Sequence, residues 1–114
     1  MIKLYGVPSC TKIRNTKEIF DLQDITYEFI NVKKTPISRE KLLEIIDQVG
    51  IENLFNKKGT TYRKLQIDFD SLSDKQRIDW LLNEQSMIKR PLLEKDGKYH
   101  VGWDESAIVS FVKR

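Results

Sequence analysis

Between Ile2 and Ile30 the chain reads as strand, tight turn, helix and strand, and no other stretch restricts its fold so strongly. Ile2 to Tyr5 is a short apolar, β-favouring run, ended by the turn chemistry of Gly6-Val7-Pro8-Ser9. From Thr11, the spacing of Asn15, Ile19 and Leu22 beside Ile13 and Phe20 predicts one apolar face of a helix lasting to about Gln23. Thr26-Tyr27-Glu28-Phe29-Ile30 follows Asp24 and is rich in β-branched and aromatic residues, so it predicts a second strand. Strand, helix and strand in this order make a right-handed parallel unit.

The rest of the chain supplies helices and then a hairpin. After Pro36, Ser38 is placed to cap a helix whose Leu42, Ile45, Ile46 and Val49 share a face and which Gly50 stops. Asn56 to Leu65 breaks the periodicity with Gly59 and two threonines, and reads as an exposed basic loop. Ser73-Asp74-Lys75-Gln76 has the form of a capping box, and Ile78, Leu81 and Leu82 continue it as a helical stripe to about Gln85. Leu92 to Glu94 and Tyr99 to Val101 flank Asp96-Gly97, the strongest short signal for a type I′ hairpin. Asp104 then caps a last helix with Ala107, Ile108 and Phe111 turned inward. A βαβ unit, a helical insertion over about 36–88 and a closing ββα segment give an α/β sheet with helices on both faces, the order expected of a thioredoxin-like fold.

At 114 residues the chain has room for one hydrophobic core, so all of its motifs are expected in one domain. With 39% hydrophobic and 32% charged residues it has the balance of a soluble globular protein. The start meets Gly6 and Pro8 too early for a signal-peptide core, and apolar runs are too short for a membrane span. A single cysteine forms no internal disulfide, which fits a reducing compartment, and a cytoplasmic location is the expectation. The net charge of +3 is only mildly basic and the signs alternate along the chain, so composition does not point to nucleic acid or to a membrane surface. A monomer is expected.

Cys10 carries the candidate chemistry. A thiol at the opening of a helix faces free backbone N–H groups and the positive end of the macrodipole, which favour thiolate over thiol. Lys12 and Arg14 add positive charge nearby. Such a group can attack a disulfide or an oxyanion held by the same N–H groups. The competing reading is a buried cysteine acting as a small hydrophobe, and its position after a Gly/Pro/Ser loop argues against that. Arg90-Pro91, just before the hairpin, is compatible with a cis peptide at the start of a strand, or with an ordinary trans proline ending the preceding helix.

Other candidates are weaker. His100, the one histidine, falls on a hairpin strand and reads as a partly exposed structural residue. One Cys and one His cannot build a four-ligand zinc site from nitrogen and sulfur donors. Lys57, Lys58, Arg63 and Lys64 around Tyr62 read as solvated loop charge rather than a nucleic-acid surface. Trp80 and Trp103 read as packing residues.

Three segments, Cys10-Thr11-Lys12-Ile13-Arg14-Asn15-Thr16, Gly59-Thr60-Thr61-Tyr62-Arg63-Lys64-Leu65 and Arg90-Pro91-Leu92-Leu93, occur in an order that resembles the arsenate reductase (ArsC) family. That family includes Spx regulators and YffB-like proteins. The resemblance spans essentially the whole chain. It implies a thioredoxin-like fold with an inserted helical subdomain, a nucleophilic cysteine at Cys10, a cis-proline at Pro91, and oxyanion-binding arginines at Arg63 and Arg90. Thr11 and Arg14, in the cysteine motif, join them as candidate anion-binding residues. Two guanidiniums near a thiolate would both favour its charge and hold an anionic substrate.

The chain departs from the family in three places. Arsenate-reducing members that use glutathione have a histidine where this chain has Gly6, and a third arginine where it has Lys98 to Gly102; both departures weigh against arsenate. Spx regulators typically carry a second cysteine where this chain has Ile13, so a switch by internal disulfide is excluded. Tyr5-Gly6 and the Gly-Thr-Thr-aromatic-Arg-Lys loop resemble YffB-like members. The resemblance therefore implies a thiol reductase with no tightly bound cofactor, and with glutathione as co-substrate and partner. Its alternative is an Spx-like regulator that binds RNA polymerase.

Overall fold

A computed structural model describes residues 1–114. The first strand, β1 (Ile2–Gly6), leads through a turn into α1 (Thr11–Leu22), and β2 (Tyr27–Asn31) returns parallel to β1 with Leu4 opposite Phe29. Four helices follow: α2 (Arg39–Val49), α3 (Ile51–Leu54), α4 (Thr60–Lys64) and α5 (Asp74–Asn83). The hairpin β3 (Leu92–Lys95) and β4 (Lys98–Val101) comes next, and α6 (Glu105–Lys113) closes the chain. The sheet order is β2-β1-β3-β4, with β3 antiparallel to both β1 and β4.

The period-two alternation of the strands divides the interior into two cores. Leu4 and Leu93, directly opposite each other, point to the face covered by α1 and α6, where they meet Ile13, Phe20, Ile108 and Phe111. Tyr5 and Leu92, the next pair, point to the other face, among Leu42, Ile45, Leu54, Phe55 and Leu81. The helical segment thus covers one side of the sheet and the first and last helices cover the other.

Local chemistry sets the element ends. The Ser73 hydroxyl accepts from Gln76 N–H at 3.2 Å while the Gln76 amide oxygen accepts from Ser73 N–H at 2.8 Å, so the capping box forms as its sequence requires. Ser38 and Asp104 cap α2 and α6 through their side chains. Asp96 and Gly97 both adopt positive φ, 51° and 76°, as a type I′ turn demands. Beyond β2, buried Gln85 clamps the chain: its side-chain amide donates to Ile37 O and its oxygen accepts from Ile37 N–H, both at 2.7 Å.

Some expectations change. The inner face of α1 is Ile13, Thr16, Ile19 and Phe20; Asn15 is exposed and Leu22 is 75% exposed. Thr16 replaces Asn15 on that face because its hydroxyl donates to Lys12 O at 2.7 Å and so is buried without an unmet hydrogen bond. Strand β2 lies one residue later than expected, and α5 ends at Asn83 before a 3-10 turn over Gln85–Met87. The expected basic loop contains a helical turn, α4. Tyr62 holds it, edge-on to Phe55 at 6.0 Å and with its hydroxyl accepting from Phe69 N–H at 3.0 Å. Trp80 is partly buried against the core around Tyr5 and Leu92, but Trp103 stays 38% exposed.

Candidate active site

Cys10 is the residue at which β1 and its turn hand over to α1. Its N–H donates to Val7 O at 3.2 Å, closing the turn, and its carbonyl accepts the first helical bond, from Arg14 N–H at 3.1 Å. No side chain caps the helix start, so the amides of Thr11, Lys12 and Ile13 are the free donors of its first turn. The thiol is half-buried and is packed against both cores, at the seam between the two layers.

The opposite wall comes from a non-local pairing. Phe55 and Ile88 form an antiparallel bridge, flanked by Asn56 N–H donating to Met87 O and Lys89 N–H donating to Leu54 O, each at 2.7 Å. This brings Asn56, Lys89 and Arg90 to Cys10, Thr11 and Lys12 around a cleft of about 250 Å³. The Arg90–Pro91 bond is cis, Pro91 is buried, and its carbonyl accepts from Gly102 N–H at 3.0 Å. The side-chain stem of Arg90 passes close to Gly6 at the end of β1.

Of the residues expected to bind an anion, Thr11 and Arg90 line the cleft with Cys10, while Arg14 and Arg63 do not. Arg14 is exposed on α1 and donates to Thr11 Oγ1 at 3.3 Å. Arg63 is exposed on α4. Asn56 and Lys89 were not singled out by sequence reasoning. Both depend on the Phe55–Ile88 bridge, which no local pattern encodes. Lys12, noted only for its charge, is a wall residue.

Ionisations are displaced on both faces of the sheet. On the sheet face under α2, Tyr5 donates to Glu94 Oε1 at 2.6 Å and Lys41 Nζ pairs with the same oxygen at 2.9 Å. Burial alone would raise the Glu94 carboxyl, but these two hydrogen bonds outweigh it and hold it below its ordinary value. Burial pushes the Tyr5 phenol up, and Glu94 adds to the shift. On the other face, burial lowers the His100 imidazole. Its ring lies 5.7 Å from that of Phe111, and its buried Nε2 has no partner.

A parallel β1-α1-β2 unit extended by an antiparallel hairpin, with helices on both faces and a cysteine opening the first helix, defines a thioredoxin-like α/β protein. The family model described as "ArsC family" matches residues 5–111, and the chain belongs to that family. Among curated relatives, the global transcriptional regulator Spx of Streptococcus mutans is 28% identical over 116 aligned positions, covering 100% of this chain and 85% of the relative. The Spx of Listeria innocua is also 28% identical, with 88% of the relative covered. Among solved structures, a YffB protein superposes with a TM-score of 0.87 at 30% identity, covering 98% of this chain and 99% of the other. An arsenate reductase (ArsC) related protein from Brucella melitensis gives 0.78 at 29% identity, covering 99% and 95%.

Proposed function

We propose that the protein is an ArsC-family thiol oxidoreductase that uses Cys10 as its one nucleophile and an external thiol, such as glutathione, as reductant. The observation that carries this reading is the convergence of Cys10, Lys12, Lys89 and Arg90 on one cleft at the start of α1. The free first-turn amides and these cations suit an anion held beside Sγ.

In the proposed cycle the Cys10 thiolate attacks one sulfur of a disulfide RS–SR, forming Cys10–S–S–R and expelling RS⁻, which takes a proton from solvent. A second thiol, as thiolate, attacks the R sulfur of that mixed disulfide and releases the Cys10 thiolate. That attack by R′S⁻ leaves R–S–S–R′, which a second equivalent of the external thiol converts to R′–S–S–R′ and RS⁻, so two external thiols together supply the two electrons. The resolving thiol comes from outside because the chain holds one cysteine and the position three residues on is Ile13, fully buried in the core under α1 and α6. Glutathione-dependent reduction of bis(2-hydroxyethyl) disulfide by the native protein, abolished in Cys10→Ser, is the expected result. Full activity in that variant would refute the reading.

Full-length similarity to proteins named global transcriptional regulator Spx favours a second reading, a regulator that binds RNA polymerase. Co-purification of polymerase subunits with the tagged chain, unchanged in Cys10→Ser, supports it. Their absence beside measurable thiol exchange supports the enzyme.

A further inference from the structure

The cleft at Cys10 does not end there. Through Lys12, Asn56 and Lys89 it opens into a broader one of about 600 Å³ that runs to Trp103, between β4 and α6. The cations of its walls come from separate parts of the chain: Lys12 from α1, Lys57 and Lys58 from the segment before α4, and Lys89 from the approach to β3. Both acidic wall residues are engaged. Glu52 pairs with Lys57 at 3.1 Å, and Asp104 accepts the α6 capping bond from Ala107 N–H at 3.1 Å. Lys12, Lys58, Lys89 and, at the inner end, Arg90 make no ion pair within the chain. The Lys89 side chain crosses Gly102, next to the exposed indole of Trp103.

Several compact ammonium groups around one concave surface suit phosphate, which each can bind as a point charge. An exposed indole at the far end offers a stacking face to a flat ring. We propose that this broad cleft receives the far half of a low-molecular-weight thiol or disulfide that carries phosphate groups and an aromatic ring system. The inference rests on the thiol-exchange reading above for its chemistry and names the substrate class of that site. Cys10 attacks one sulfur of the disulfide, the lysines hold the phosphates and Trp103 meets the ring. The electron and proton balance is that of the exchange already written, with the phosphate-bearing thiol as RS⁻.

Two measurements test this. In the first, intact-mass spectrometry follows formation of the Cys10 mixed disulfide from coenzyme A disulfide and from cystine, a zwitterionic control of zero net charge without phosphate. Electrostatic capture predicts a rate about tenfold or more in favour of coenzyme A disulfide, falling with salt. In Lys58→Ala and Lys89→Ala that ratio drops toward one. Rates within twofold of each other in the native protein overturn the proposal and leave thiol exchange standing. The second uses a sulfur-free probe, adenosine 3′,5′-bisphosphate, on the Cys10→Ser chain, with inorganic phosphate as comparison. Tryptophan quenching at lower concentration than inorganic phosphate, lost in Trp103→Leu, supports the cleft assignment. If Cys10 is inert to every disulfide, this second measurement decides: preferential binding keeps the ligand class and discards thiol exchange, and equal binding discards both.

Discussion

The side chain of Ile13 occupies the space beside Gly6 where any larger residue would put its Cβ. A methyl group built on Gly6 lies 2.7 Å from Ile13 Cγ1 and closer still to Cδ1. Ile13 is itself fully buried. Gly6 and Ile13 are therefore one packing solution. With Ile13 filling this space, position 6 has no room for a histidine in the present arrangement.

Gly6→Ala is expected to destabilise the protein by about 1–3 kcal/mol, the range for overpacking a filled core. Because the clash is with one side chain, Gly6→Ala in an Ile13→Ala background should cost less than in the native chain. Urea denaturation of the four-member cycle measures that coupling; additive losses would contradict the contact.

Stability should fall as the solution is acidified through the histidine range. Burial is the main cause of the lowered His100 imidazole; the Gly102 backbone and Asp104 oppose it, and Arg114 adds to it. A depressed folded-state value means that the full contribution is present above the ordinary 6.5 and is lost as pH falls through the folded value. Urea midpoints between pH 8 and pH 5 should fall in the native protein, and this slope should be flatter in His100→Phe.

A second acid-sensitive contribution belongs to Glu94. Burial raises its carboxyl but the bonds from Tyr5 and Lys41 outweigh burial and hold it low, so its contribution is complete above the ordinary 4.5 and disappears as pH drops below that. Tyr5→Phe removes one charge-assisted hydrogen bond and should cost about 1–3 kcal/mol at pH 7. The difference between Tyr5→Phe and native protein should shrink toward pH 3, which denaturation at a series of pH values will show.

Anions should shield the thiol. Sulfate at millimolar concentration is expected to slow alkylation of Cys10 by iodoacetamide in the native protein. The protection should be about tenfold or more weaker in Arg90→Ala, through loss of a charge-assisted contact of about 1.5–3 kcal/mol. Arg63→Ala, whose side chain lies outside the cleft at Cys10, should keep the protection. Equal loss in both variants would place the anion elsewhere.

The elements that were legible in the sequence are those whose cause is local. The start of α1 at Cys10, the Ser73 capping box, the Asp96-Gly97 turn and the bounds of α2 each follow from a few consecutive residues. The helix face at Asn15 and Leu22 was misread because Thr16 can bury its hydroxyl by bonding to its own helix, which polarity alone does not reveal. At the site, Cys10, Thr11 and Arg90 were legible because each sits in a recognisable segment. Asn56 and Lys89 were not: they meet Cys10 only because Phe55 bridges Ile88 across the inserted helices. Trp103, expected to pack, stays exposed at the mouth of a cleft whose walls are far apart in the chain.

The position of β1 in the sheet also dictates when the protein can become whole during synthesis. Its partner on one side, β2, follows within one helix, but on the other side Leu4 pairs with Leu93. While a ribosome makes the intervening helices, β1 keeps a bare hydrogen-bonding edge beside an apolar surface, the condition under which nascent chains associate wrongly. The hairpin that carries Leu93 must be made before that edge is covered, and Arg90 and Lys89 reach Cys10 only with it. The nascent chain therefore holds its thiol before it holds the cleft.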